Sequence, residues 1–167
     1  MSMCYLNGKF LDLKEAKISP LDRGFLFGDS IYEVIASYNN KPFKIEDHLD
    51  RLFINLKDIK ISVNYSRQEV KNILESVIEK NDLSNQIIYL QISRGHEDIR
   101  DHIPGPSPSP TIFVCSFPLK NIPNTQTTSI KASLKKDFRW RKSNIKSTSL
   151  LANVMYKTVS YTHLTLP

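Results

Sequence analysis

The chain has 167 residues, 40% of them hydrophobic, and a formal net charge of +6. No apolar run approaches the roughly 18 residues that a helical membrane span needs, and "MSMCYLNGKF" lacks the basic start and apolar stretch of a secretion signal, so the sequence reads as a soluble globular chain. Cys4 and Cys115 stand far apart without metal-ligand spacing, which fits a reducing cytoplasm and implies neither a disulfide framework nor a zinc site.

In chain order, Asn7-Gly8 between "YL" and "KF" is a hairpin signal, because both residue types accept positive φ. "SIYEVIASY", Asn39-Asn40 and "KPFK" read as a second hairpin. From Glu46 onward Leu49, Leu52, Phe53, Leu56 and Ile59 recur at helical spacing, with Glu46 and Asp47 where the helix dipole favours acids. Ser66 and Glu69 form a capping-box pattern ahead of Val70, Ile73, Leu74, Val77 and Ile78, predicting a second helix. "QIIYLQIS" and "TIFVCSF" are β-branched and aromatic, and predict strands. Between them lies "RGHEDIRDHIPGPSPSP", in which Pro104, Pro106, Pro108 and Pro110 argue for a long stiffened loop. After Pro118 the patterning lapses, which predicts a linker over 119–126. Strand-like patterning resumes near Thr127, and a helix is expected from about Ser147. The excess charge is local: residues 131 to 146 carry seven basic side chains and one acid, leaving sixteen of each sign elsewhere. A solvated basic hairpin and an anion-binding segment both fit that pattern.

The ordered motifs "RGFLFGDSIYEV", "HLDRL", "YLQISRG", "RDHIP" and "FRWRKSNIKSTSLLANVMYK" resemble the pyridoxal-phosphate aminotransferases of fold type IV, and among these the D-amino-acid aminotransferases most. The resemblance covers residues 1 to about 158. It implies an α/β protein: an α+β N-terminal domain over 1–118, the linker at 119–126, and the start of a cofactor-binding domain over 127–167. It also implies pyridoxal 5'-phosphate as cofactor, transfer of an amino group between a D-alanine-like amino acid and a 2-oxo acid as small-molecule partners, and a homodimer. Nucleic acid and membrane partners are not expected.

On the same resemblance, Lys146 matches the lysine that forms the Schiff base with the cofactor and then shuttles a proton at the substrate α-carbon. An amine must be unprotonated to attack an aldehyde, and Arg139 or Arg141 nearby would favour that form. Arg51 matches the arginine that binds the cofactor phosphate, to which a guanidinium donates two parallel hydrogen bonds. His48, three residues earlier, is placed to orient it. Tyr32, Arg100 and His102 match the residues that hold the substrate carboxylate, the last two reaching across a dimer interface. Asp29 and Glu33 are assigned support only.

The Arg-x-His spacing favours D-amino acids over the branched-chain aminotransferases and aminodeoxychorismate lyases of the same fold. A reading of another class, an inactive fragment or basic binding module, rests on residues 131 to 146 alone, which lack the aromatic interleaving that single-strand binding uses, Phe138 and Trp140 being the sole exceptions. Residues 159–167 depart from the family pattern. The resemblance therefore places the acid that pairs with the pyridine nitrogen, and further phosphate donors, beyond this chain.

Overall fold

The computed structural model describes residues 2–81, 83–106, 109–119 and 142–162, with backbone alone for the last five of these. The linker expected at 119–126, apart from Leu119, and most of the basic segment, Arg139 and Arg141 included, lie outside the described residues. Six strands, β1 (Met3–Leu6), β2 (Lys9–Asp12), β3 (Ser30–Tyr38), β4 (Lys41–Pro42), β5 (Asn85–His96) and β6 (Ser109–Pro118), form one sheet in the order β2-β1-β6-β5-β3-β4. Every pairing is antiparallel. The helices are α1 (Arg23–Phe27), α2 (Ile45–Asp58), α3 (Arg67–Asn81) and α4 (Leu151–Thr162).

The two-residue period of the strands decides which face is the core. Ile31, Ile92 and Ile112 stand in register across β3, β5 and β6, and Ile35 stands beside Ile88. All are buried. Leu49, Leu52 and Leu56 from α2, with Val70, Leu74, Val77 and Ile78 from α3, cover this face. Each fully buried aliphatic side chain contributes about 1.5–3 kcal/mol relative to exposure. The opposite face carries Tyr32, Val34 and Tyr38, with Val34 and Tyr38 each 39% exposed.

Local signals act as their chemistry dictates. Asn7 and Gly8 take φ of 44° and 91° at the β1–β2 turn, and Asn39 and Asn40 take 47° and 60° between β3 and β4. Ser66 N donates to Glu69 Oε2 at 2.7 Å while Glu69 N donates to Ser66 Oγ at 3.2 Å, the reciprocal pair of a capping box.

Three details differ from the sequence expectation. The five residues of α1 carry no amphipathic repeat; they form because Asp22 caps Gly24 N and Gly28, in the left-handed conformation, closes the turn. Pro110 lies inside β6 rather than the loop. It falls where the β5–β6 register shifts between Ser93 and His96, and β1 meets β6 only through Phe113 and Val114, so no ladder bond needs its missing N–H. Finally α4 begins at Leu151 rather than near Ser147, because Ser147 and Thr148 are bonded to β3.

Gly95 makes the β5 irregularity possible. Its φ is +97°, and a Cβ there would lie 1.8 Å from Ser109 O, which is backbone and cannot yield. Gly95→Ala is therefore expected to destabilise the protein by about 2 kcal/mol or more, seen as a lower urea midpoint with unchanged slope.

Candidate functional site

Lys146 is placed by the free edge of β3. The two-residue β4 pairs only with Ser37 and Tyr38, leaving the first half of that edge open. Residues 146–148 occupy it as a short added strand: Tyr32 N donates to Lys146 O at 3.0 Å, Ser147 bridges Ile31, and Thr148 N donates to Ser30 O at 3.3 Å. The Ser30 and Thr148 hydroxyls bond each other, and Ile145 packs against the core. On the inner side Lys146 N donates to Asn55 Oδ1 at 2.8 Å, while Asn55 Nδ2 donates to Asn144 O at 3.2 Å. Gly28 leaves room for the chain to turn into α4, since a Cβ there would approach Ser149 Oγ to 2.5 Å.

Lys146 Nζ lies 4.1 Å from the centroid of the Tyr32 ring, within cation–π range. Both residues line a cavity of about 320 Å³ with Arg51, Ser143, Asn144, Ser147 and Asn153. Tyr32 stacks on Tyr89 at 5.8 Å. Burial first, then the neighbouring Tyr32 and Cys115, push the Tyr89 phenol up to about 12, so it stays neutral and donates to Gln91 Oε1 at 2.8 Å.

Arg51 comes to the same cavity from α2. Glu33, 1% exposed and one residue along from Tyr32 on the opposite sheet face, takes its Nε at 2.7 Å and Nη2 at 2.6 Å. The paired Glu33 carboxylate, chiefly by its hydrogen bonds, raises the pKa of Arg51 and keeps the guanidinium charged. Among the described residues Nη1 has no partner. His48 Nδ1 meets Glu33 Oε2 at 2.7 Å and lies 3.4 Å from Arg51 Nη2, so it steadies Arg51 through the shared carboxylate.

Arg100 and His102 are elsewhere. Both are exposed and gather on Phe27, Arg100 Cζ at 4.8 Å and the His102 ring at 5.3 Å from the ring centroid. Their loop is tied down by Arg23, 4% exposed, whose Nη1 donates to Asp101 O at 2.7 Å and Nη2 to His102 O at 2.9 Å. Arg23 also pairs with Asp29 and Glu97, and Arg94 grips Asp29 from the other side at 2.7 Å while donating to the carbonyls of Ile59 and Lys60. The structure thus brings Tyr32, Arg51 and Lys146 into one cavity of this chain and leaves Arg100 and His102 outside it.

Sequence reading assigned Glu33 and Asp29 to support alone and passed over Arg23 and Asn55. Asn55 had a legible signal: it falls on the buried stripe of α2, three residues after Leu52 and next to Leu56, where a polar residue needs a partner. Arg23 had none, because its partners lie six to 79 residues away.

Comparison with known proteins bears on family and fold. A family model for amino-transferase class IV matches residues 30–160. The D-alanine aminotransferase of Staphylococcus haemolyticus is 32% identical over 157 residues, covering 94% of this chain and 56% of that protein. The chain thus spans about half the length of the curated relatives it matches. In fold it is similar to the Escherichia coli branched-chain amino acid aminotransferase, with a TM-score of 0.66 and 24% identity over 71% of this chain and 41% of that one. Another branched-chain amino acid aminotransferase, complexed with N-(5'-phosphopyridoxyl)-L-glutamate, gives 0.65 and 21% over 70% and 40%. That of the thermophilic archaeon Thermoproteus uzoniensis gives 0.63 and 22% over 71% and 41%.

The Asp29 network carries a pH dependence. Burial raises the Asp29 carboxyl, but hydrogen bonds from Arg94 and Arg23 outweigh it and hold it below the ordinary 3.8. A carboxylate depressed in the folded state contributes stability in full above its unfolded value and loses it as pH falls through the folded one. Stability is therefore expected to fall below about pH 4. Asp29→Asn should be less stable at pH 7 and show a flatter fall in acid, read from urea midpoints across pH.

Proposed function

The chain belongs to the class IV aminotransferases, and on that premise we propose that the protein moves an amino group between a D-amino acid and a 2-oxo acid, with pyridoxal 5'-phosphate as cofactor. The observation that carries this reading is the single cavity in which Lys146, Tyr32 and Arg51 meet. Those groups fit the cofactor: an amine without a carboxylate partner among the described residues, an aromatic face beside it, and a guanidinium with one nitrogen to spare. When bound, the cofactor supplies an aldehyde to the amine and a ring that withdraws electrons from the substrate α-carbon.

Arg51, held by Glu33 through Nε and Nη2, offers Nη1 to phosphate oxygens. Lys146 Nζ would take the proton from the substrate α-carbon and hold it for return. The Tyr32 phenol donates to the substrate carboxylate and fixes which face of the α-carbon meets Lys146. Arg100 and His102 complete the carboxylate grip from a second copy of the chain. Their exposed loop supports that role, since Ile99 and Ile103 are each 78% exposed and Phe25 71%, an apolar surface suited to a partner. A homodimer follows from this reading.

The linker at 119–126 and a cofactor domain from residue 127 also belong to the proposal. Two free, buried cysteines, with the Cys115 thiol pushed up to about 12 by burial and Cys4, fit a cytoplasmic protein. The D-preference is supported by the 32% identity to D-alanine aminotransferase and by the Arg-x-His spacing. A second reading, a branched-chain aminotransferase, is favoured by the fold likeness at a TM-score of 0.66.

Three measurements test the proposal on the intact protein. Arg51→Ala should weaken cofactor binding by about 1.5–3 kcal/mol in a titration, and unchanged affinity would remove Arg51 from the site. D-alanine should react much faster than L-leucine in single-turnover spectra. Arg100→Ala should mainly raise KM for the D-amino acid. Faster reaction with L-leucine would select the branched-chain reading.

A further inference from the structure

We infer that Asn55 is a positioning residue for Lys146, holding the lysine's backbone so that its amine can meet a phosphorylated aldehyde bound in the cavity. The inference rests on the reading that Lys146 bonds the cofactor, and adds to it a residue on a different element.

Asn55 occupies a place on α2 where its neighbours Leu52 and Leu56 fill the core, and it is 2% exposed. An amide there costs free energy unless both ends are bonded. Both ends are, and both partners belong to the lysine segment: Nδ2 donates to Asn144 O, and Oδ1 accepts from Lys146 N. The amide thus straddles Ile145, whose side chain is packed against the core. On the other side of the segment Tyr32 N donates to Lys146 O. Both backbone polar groups of Lys146 are therefore fixed, its N–H by α2 and its carbonyl by β3. The Nζ–Tyr32 distance is left to the side-chain torsions alone. A helix residue that only satisfied the core could use any acceptor. Asn55 uses the two peptide groups that flank the residue before Lys146.

Covalent capture requires Nζ to attack the aldehyde carbon and expel one water, so its rate depends on how often the amine is presented to that carbon. Phosphate binding through Arg51 does not depend on it. Removing Asn55 should slow capture and spare binding.

The test uses the intact protein and two ligands. Pyridoxal 5'-phosphate is captured and trapped with borohydride, and peptide mapping gives the rate at Lys146. Pyridoxine 5'-phosphate, an alcohol that cannot be captured, reports binding alone. Asn55→Ala, which loses both bonds, should slow capture at Lys146 tenfold or more while the pyridoxine phosphate Kd stays within twofold. Asn55→Asp keeps the acceptor for Lys146 N and loses the donor, so its rate should fall between wild type and Asn55→Ala. It carries the test if the alanine variant does not fold. Capture at the wild-type rate in the variants, or parallel loss of capture and pyridoxine phosphate binding, overturns the inference. Borohydride label on a different lysine in wild type overturns the Lys146 reading itself, which is visible before any variant is made.

Discussion

An open strand edge organises this molecule. β3 is nine residues long, but β4 satisfies only its last two, and the unpaired peptide groups that remain must find partners. Residues 146–148 supply them for Ser30 O and Tyr32 N, and Phe43 N supplies one for Ala36 O. Because that segment carries Lys146, satisfying the edge sets the amine over the ring of Tyr32. The strand's period of two then sends Glu33 to the other face, where it meets Arg51 on α2. Two successive residues of one strand therefore gather an aromatic face and a held guanidinium around a single lysine.

Charge in this structure serves position more than net stability. A buried ion pair recovers its desolvation cost only with good geometry, so its value lies in allowing few arrangements. Glu33 accepts from Arg51 and His48 and, among the described residues, leaves one guanidinium nitrogen over. Arg23, Asp29, Arg94 and Glu97 do the same for the base of the loop that carries Arg100 and His102, joining it to β5 and to the end of α2. Phe27 then sits between Arg23 and Arg100, with Cζ atoms 4.9 and 4.8 Å from its centroid. The loop is thereby fixed at its base while its tip stays exposed.

Elements governed by short-range rules were legible in the sequence. The Asn-Gly and Asn-Asn turns, the Ser66–Glu69 capping box and the apolar stripes of α2 and α3 depend on neighbours a few residues away, and each lies where its pattern puts it. Lys146, Arg51 and Tyr32 were legible through motifs, and the structure brings them together. Elements that depend on distant partners were not legible. The start of α4 was expected too early because nothing near Ser147 reveals that β3 takes its backbone. Pro110 was assigned to the loop because its tolerance depends on which strand fails to pair beside it. Arg23 reads as an ordinary helix arginine until the carbonyls of Asp101 and His102 fold back onto it.

The central claim is that the edge of β3 delivers Lys146 to a cavity that already holds Tyr32 and Arg51. A crystal structure of the intact protein with pyridoxal 5'-phosphate tests it most directly. The account predicts continuous density from Lys146 Nζ to the cofactor's aldehyde carbon, with the phosphate on Arg51. Density joining the cofactor to another lysine, or a phosphate bound away from Arg51, would contradict it.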